Sequence, residues 1–248
     1  MSYPDLRSLI EHLREERDLA VVDVEVDPDL EIAEIHRRVI AAGGPALLFN
    51  HPRGSEFPVV TNLFGTRRRA QMAFGSRPLE WIERVVELAP TLIPPTLDKI
   101  WGARDVLGAL LRVGSRTVMS GPVLDVVTDE VDLGRLPVLK TWAGDGGPFV
   151  TLPLVYTEHP ETRIPNLGIY RLQVHDRRTT GMHWQIGKGG GFHYAVAEAD
   201  EVPLPVTVFL GGPPAMILAA IAPLPENVPE LLLASLIAGE RLGMCDGP

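Results

Sequence analysis

The chain has 248 residues, of which 45% are apolar and 22% are charged, and these proportions are typical of a folded globular protein. They argue against a disordered chain, and no apolar run reaches the ~18 residues of a membrane-spanning helix. The net charge of -9 disfavours nucleic acid as a partner, because that binding depends on clustered Lys and Arg.

Cysteine content and the N-terminal segment indicate the compartment. The single cysteine, Cys245, excludes an internal disulfide framework and a cysteine-rich zinc site. Residues 1–18 are charged and amphipathic, whereas a secretory signal needs an uninterrupted apolar stretch. We therefore expect a cytoplasmic protein with no membrane segment.

Residues 1–114 alternate helical and strand patterns, which predicts an α/β N-terminal domain. Leu6, Ile10 and Leu13 have helical spacing, and the pair Gly43-Gly44 ends a second predicted helix. The predicted strands of this part are Leu19–Val26 and Ala46–Phe49, and its later predicted helices are Arg67–Phe74, Pro78–Leu88 and Leu97–Leu111.

From residue 115 to residue 248 the pattern changes to short apolar runs that are broken by Gly and Pro. The predicted strands are Val123–Val127, Phe149–Tyr156, Asn166–Val174 and Val206–Leu210, and one helix is predicted over Pro229–Leu242. Such a pattern indicates a β-rich second domain whose sheet closes or half-closes into a barrel. We place the boundary between the two domains near Gly114.

A glycine-rich loop, Gly187–Gly191, contains one cation, Lys188. Consecutive glycines allow successive backbone N–H groups to point into one concavity, and a lysine adds a positive charge there. The loop is therefore a candidate phosphate cradle. The alternative is an exposed flexible turn between two strands.

The predicted strand Asn166–Val174 places Arg171 on the same face as the apolar Leu167 and Ile169, because side chains alternate along a strand. Such an arginine is either a surface residue that extends to solvent or a buried anion-binding group. Asn166 follows a proline and is by default a turn former, although its carbonyl oxygen could also bind a hard metal ion.

Two histidines and one glutamate stand near these segments in the sequence. His183 and His193 flank the glycine-rich loop, and each could be an ordinary structural residue. Glu230 falls in the first turn of a predicted apolar helix, where interaction with the helix dipole is sufficient to explain it.

Taken together, these segments resemble the UbiD family of reversible decarboxylases, which use prenylated flavin mononucleotide (prenylated FMN). The most specific element is the sequence Asn-x-Gly-Ile-x-Arg at residues 166–171. Supporting matches are Asp27–Ile32, Gly43–Phe49, Val60–Gly65 and the run from Gly212 to Glu230.

The resemblance implies an α+β protein in which residues 1–114 form an α/β domain and residues 115–248 form an incomplete, split-barrel-like flavin-binding domain. It assigns Arg171 to the catalytic site, facing the flavin and the substrate carboxylate. The cofactor-binding residues that it implies are Ile169, Tyr170, Arg171, Gln185 and Lys188.

The resemblance also implies a divalent metal, Mn²⁺ or Mg²⁺, that bridges the flavin phosphate to an Asn, a His and a Glu. Asn166 and Glu230 match two of these ligands. The position of the family's histidine aligns with Gly187, so His183 is the candidate third ligand, with His193 or water as alternatives. A potassium ion is admitted as a further cofactor.

The activity implied is the reversible, non-oxidative decarboxylation of an aromatic or α,β-unsaturated carboxylic acid. The family's chain continues into a segment of glutamates that supplies the catalytic acid, so we expect a homo-oligomer or a partner that supplies the missing part. The alternatives are a non-catalytic flavin-binding module or subunit that lacks those glutamates, and an ordinary flavin oxidoreductase.

Overall fold

A computed structural model describes residues 3–75, 113–185, 187–222, 224 and 229–247. The helices predicted over Pro78–Leu88 and Leu97–Leu111 lie outside the described residues.

The first part of the chain is built around a three-stranded sheet in the order β1-β2-β3. Its elements are α1 (Leu6–Glu15), β1 (Leu19–Val26), α2 (Glu31–Ala41), β2 (Ala46–Pro52), β3 (Val59–Thr61) and α3 (Arg67–Phe74). Strands β1 and β2 are parallel and are connected through α2, whereas β3 is antiparallel to β2. The helices and strands predicted for the described part of this region are confirmed.

The helices of the first part bury the side chains that the helical spacing predicts. In α1, Leu9 and Leu13 are fully buried, and Asp5 caps the helix by accepting a hydrogen bond from the Ser8 N–H at 2.7 Å. In α2, Ile32 is fully buried against Phe49 of the sheet. The α/β pattern of the sequence therefore predicts this packing correctly.

The second part contains short strands in three small sheets. Its elements are β4 (Ser115–Thr117), β5 (Phe149–Val150), β6 (Pro153–Glu158), β7 (Pro165–Ile169), β8 (Leu172–Val174), β9 (Thr180–Met182), α4 (Gly189–Ala199), β10 (Val206–Leu210), α5 (Pro214–Ile221), α6 (Glu230–Ala238) and β11 (Leu242–Met244). The sheets have the orders β10-β6-β7, β5-β8-β9 and β11-β4. Helices α5 and α6 pack on β7 through Leu167, Ile217 and Leu231.

Three predictions for the second part are wrong in detail. Residues Val123–Val127 form no strand; a short 3-10 helix covers Pro122–Leu124, and Val126 is 86% exposed. The predicted strand Asn166–Val174 is interrupted at residues 170 and 171, which separate β7 from β8. The glycine-rich loop does not connect two strands, because it leads directly into helix α4.

The two parts of the chain are packed together. Leu6 of α1 and Phe64, which follows β3, contact the apolar cluster around Leu154 and Leu167. The division into domains near Gly114 stays a prediction. In the stretches that the structure describes, we find no helix whose length and apolar character would suffice to cross a membrane.

Candidate functional site

Strand β7 separates an apolar face from a polar face. Leu167 and Ile169 pack into the apolar cluster beneath α5 and α6. Asn166 and Tyr170 point the other way, toward the N-terminus of α4. The alternation that the sequence predicts for residues 166–170 is thus confirmed, and it brings polar side chains to the start of a helix.

The polar face carries a buried group of side chains that we call the Asn166 cluster, formed by Asn166, Tyr170 and Glu230 beside Gly189 and Gly190. The Tyr170 hydroxyl accepts a hydrogen bond from the Gly190 N–H at 3.0 Å and also interacts with the Asn166 amide. Asn166 is only 6% exposed, and its Nδ2 has no hydrogen-bond partner among the described residues. A buried amide nitrogen without a partner is costly, so this position is suited to a ligand.

The glycines at the start of α4 are required by close approach. A Cβ at Gly189 would overlap the Asn166 carboxamide, and a Cβ at Gly190 would stand 2.7 Å from the Trp184 ring and 3.0 Å from the Tyr170 ring. These contacts explain why the chain uses glycine here. They bring the helix N-terminus directly against the Asn166 cluster.

Glu230 enters the cluster from the first turn of α6. Its Oε2 accepts a hydrogen bond from the Leu167 N–H at 2.9 Å. Burial raises the pKa of the Glu230 carboxyl above its usual value, and the Leu167 N–H opposes that shift. Burial also raises the pKa of the Tyr170 hydroxyl, with a smaller contribution from the charge of Glu230. The carboxylate therefore lies close enough to interact with Tyr170.

His193 lies on the same side of the sheet as Asn166. Its Nδ1 is 3.0 Å from Oγ1 of Thr157, and Thr157 is the cross-strand partner of Asn166 in the β6–β7 ladder. His193 is 5% exposed, and burial lowers its pKa, with a smaller effect from His159. Sequence analysis missed Thr157, because a threonine within a strand gives no functional signal.

A second region, the Arg171 pocket, opens where β7 ends and β8 begins. It is a cavity of about 390 Å³, within the size range of small-molecule sites. Its lining residues are Gly144, Asp145, Gly146, Phe149, Arg171, Gln173, Gly181, Met182 and His183. The Arg171 side chain is 48% exposed, so the buried anion-binding group that the resemblance favoured is instead a half-exposed one.

Arg171 has two side-chain neighbours in this pocket. Its Nη1 lies 3.1 Å from Oδ1 of Asp145, and its Cζ stands 4.3 Å from the centre of the Phe149 ring. Sequence analysis missed Asp145, although the Gly-Asp-Gly-Gly sequence at residues 144–147 is a signal of a tight loop.

The remaining predicted site residues are distributed around these two regions. Gln185 and Lys188 are exposed at the start of α4, where Lys188 precedes the helix and makes no side-chain cap. Ile169 is half-buried in the apolar cluster, and His183 is exposed in the Arg171 pocket, where its backbone N–H donates to the Arg171 carbonyl at 3.1 Å. Within the described ranges, no three His, Cys, Asp or Glu side chains are grouped to hold a metal ion.

Family profiles match both parts of the chain. The 3-octaprenyl-4-hydroxybenzoate carboxy-lyase N-terminal domain matches residues 10–89, and the Rift-related domain of that carboxy-lyase, UbiD, matches residues 116–248. The chain belongs to the UbiD family. The predicted resemblance is therefore confirmed.

Relatives and solved structures agree with this assignment. A 4-hydroxybenzoate decarboxylase component from Chlamydia pneumoniae is 47% identical over 96% of this chain and 40% of its own length, and an uncharacterized protein of Chlamydia trachomatis is 48% identical over 97% and 42%. An evolved dimeric form of the UbiD-class enzyme HmfF from Pelotomaculum thermopropionicum, solved in complex with prFMN, is 28% identical with a TM-score of 0.81. That match covers 99% of this chain and 53% of HmfF.

The structural match confirms the predicted mixed fold of helices and several sheets. The chain spans about half the length of these relatives or less.

Proposed function

We propose that this UbiD-family chain forms the flavin-binding and acid-binding part of a decarboxylase. The reaction is the reversible, non-oxidative decarboxylation of an aromatic or α,β-unsaturated carboxylic acid with prenylated FMN. The observation that carries this proposal is the buried Asn166 amide, which lies without a partner for its Nδ2 against the glycine N-terminus of α4. The Arg171 pocket opens at the end of the same strand.

The start of α4 is suited to the phosphate of the flavin. The N-terminus of a helix presents backbone N–H groups and a partial positive charge to an anion. The glycines at 189 and 190 leave the backbone uncovered, and the exposed Lys188 adds a full positive charge beside it. These features support Lys188 and the first turn of α4 as the phosphate-binding group.

The Asn166 cluster is suited to a hard divalent cation. Amide and carboxylate oxygens are the ligands that Mg²⁺ and Mn²⁺ prefer. Asn166 and Glu230 provide this pair, and a cation would also compensate the buried Glu230 carboxylate. Burial beside Thr157 favours His193 over the exposed His183 as a third protein ligand.

Arg171 is suited to hold the carboxylate of the substrate. Its guanidinium is half-exposed in the pocket, and a charge-assisted hydrogen bond to a carboxylate contributes about 1.5–3 kcal/mol. The residue would orient the acid with its carboxylate toward Arg171 before carbon dioxide leaves. Bound prenylated FMN would accept the electron pair that decarboxylation leaves on carbon.

A flavin-binding subunit that needs further polypeptide for turnover is the second candidate. Among the residues that line the Arg171 pocket, Asp145 is the one carboxylate, and it is paired with Arg171. A proton donor for the product carbon would therefore come from another segment, another copy or a partner. Loss of general acid catalysis typically lowers a rate by about 100- to 10000-fold.

The decisive experiment loads the purified chain with prenylated FMN and Mn²⁺. Absorbance and mass of the released ligand report flavin binding, and carbon dioxide release reports turnover on cinnamate-like and aromatic acids. We expect weak flavin binding that Lys188→Ala reduces and the control Lys140→Ala leaves unchanged, with little turnover by this chain alone. No flavin binding would contradict the proposal, and robust turnover would show that the proton donor lies within these 248 residues.

A further inference from the structure

Asp145 is held in a closed loop above strand β8. An isolated antiparallel bridge joins Leu139 to Phe149 and closes the intervening segment, and Phe149 pairs with Gln173 of β8. Within the loop, the Asp145 N–H donates to the Trp142 carbonyl at 3.0 Å. The loop therefore fixes the backbone from which the Asp145 carboxylate reaches Arg171.

The carboxylate of Asp145 is much more buried than the guanidinium that it contacts. Its side chain is 11% exposed, compared with 48% for Arg171. Oδ1 contacts Arg171, while Oδ2 is buried and has no hydrogen-bond partner among the described residues. Within the described chain, Arg171 is thus the one cation in contact with this carboxylate.

Arg171 is restrained on three sides. Asp145 contacts Nη1, the Phe149 ring covers one flat face of the guanidinium, and the backbone N–H of His183 holds the Arg171 carbonyl. The described residues provide no further hydrogen-bond partner for the guanidinium. Its remaining N–H groups are therefore available in the pocket for the carboxylate of an acid.

We propose that Asp145 is a positioning residue that holds the Arg171 guanidinium in the orientation required for the substrate carboxylate. This inference rests on the proposed function. Asp145 also cancels most of the positive charge of Arg171, so the pocket exchanges anion affinity for a fixed geometry. Removal of the carboxylate charge should free the guanidinium without weakening its attraction for an acid.

The test replaces Asp145 by Asn, which keeps the shape of the side chain and removes its charge. Benzoate is the binding probe, measured by calorimetry on the 248-residue chain, and turnover is measured on flavin-loaded protein together with any partner it needs. The matched control is Asp132→Asn, because Asp132 pairs with the exposed Arg177 at 3.0 Å outside the pocket lining. An asparagine at 132 can still cap the Gly134 N–H.

We expect Asp145→Asn to bind benzoate as tightly as the parent or up to about tenfold more tightly, while kcat falls at least about tenfold. Asp145→Glu, which restores the charge, should recover part of kcat. In nuclear magnetic resonance spectra, the Arg171 guanidinium should rotate faster in Asp145→Asn than in the parent. Asp132→Asn should leave all three quantities unchanged.

Two outcomes would overturn the positioning role. One is a parallel loss of benzoate binding and kcat in Asp145→Asn, which a merely structural role would produce. The other is an unchanged guanidinium rotation together with an unchanged kcat. If the parent protein shows no turnover under any condition, the proposed function fails, whereas benzoate binding and guanidinium rotation still decide the role of Asp145.

Discussion

The Asn166 cluster and the Arg171 pocket begin at neighbouring residues but differ in their physical character. Tyr170 is 4% exposed and binds the Gly190 N–H in the interior, whereas Arg171 is half-exposed and pairs with Asp145 in an open cavity. The chain makes this division within one peptide unit, at the interruption between β7 and β8.

The difference indicates a division of labour between the two regions. In the cluster, burial raises the pKa of Glu230 and leaves the Asn166 amide nitrogen unpartnered among the described residues, which suits a permanently bound phosphate and metal. A half-exposed arginine in a cavity suits a substrate that must enter and leave. Substitutions in the cluster should therefore affect cofactor binding and stability, and substitutions in the pocket should affect turnover.

The largest effect is expected for Arg171→Ala. Turnover of flavin-loaded protein should fall by more than about 100-fold, a barrier increase of ~2.7 kcal/mol, because the acid loses its charged anchor. Arg171→Lys should not restore the rate, since a point charge does not replace the planar fork. Flavin binding should stay within about twofold of the parent, as a pocket residue requires.

The control for that experiment is Arg177→Ala. Arg177 is 77% exposed and pairs with Asp132 outside the pocket lining, so its loss should leave turnover unchanged. If Arg171→Ala keeps turnover within about tenfold of the parent, or ~1.4 kcal/mol, the role of Arg171 is refuted.

Metal binding should separate the two regions next. At a Mn²⁺ concentration of about 100 times the dissociation constant, a site in the folded state should raise the free energy of unfolding by about 2.7 kcal/mol. Asn166→Ala should abolish this increase, which thermal unfolding with and without the metal measures. Asn50→Ala, which removes an exposed amide paired with Asp23, is the control. An equal stabilisation in both variants would exclude Asn166 as a ligand.

A smaller effect is expected when the buried hydroxyl of Tyr170 is removed. Tyr170→Phe leaves the Gly190 N–H without its acceptor, so the free energy of unfolding should fall by about 1–3 kcal/mol. Tyr194→Phe removes an exposed hydroxyl that contacts Glu198 and should change stability by less than about 0.5 kcal/mol. Equal losses in denaturant titrations would contradict the buried character of the cluster.

The sequence predicts the cluster better than the pocket. Alternation along residues 166–170 fixes which side chains share a face, and the glycine-rich loop indicates a close backbone approach. The pairing of Arg171 with Asp145 depends on the loop that ends at the Leu139–Phe149 bridge, a long-range contact that no local pattern encodes. The strand predicted over Val123–Val127 fails because β-branched residues favour strands only where neighbours cover them.

The smallest effect on stability is expected for His183→Ala, which tests whether a metal joins the two regions. His183 is exposed in the Arg171 pocket, so its loss should change the free energy of unfolding by less than about 0.5 kcal/mol. The stabilisation by Mn²⁺ should persist in this variant and be lost in His193→Ala, because His193 is buried beside Thr157 on the side of Asn166. Thermal unfolding at several Mn²⁺ concentrations distinguishes the two histidines. Loss of the stabilisation in His183→Ala would instead make His183 the third ligand, and the pocket and the cluster would then share one metal centre.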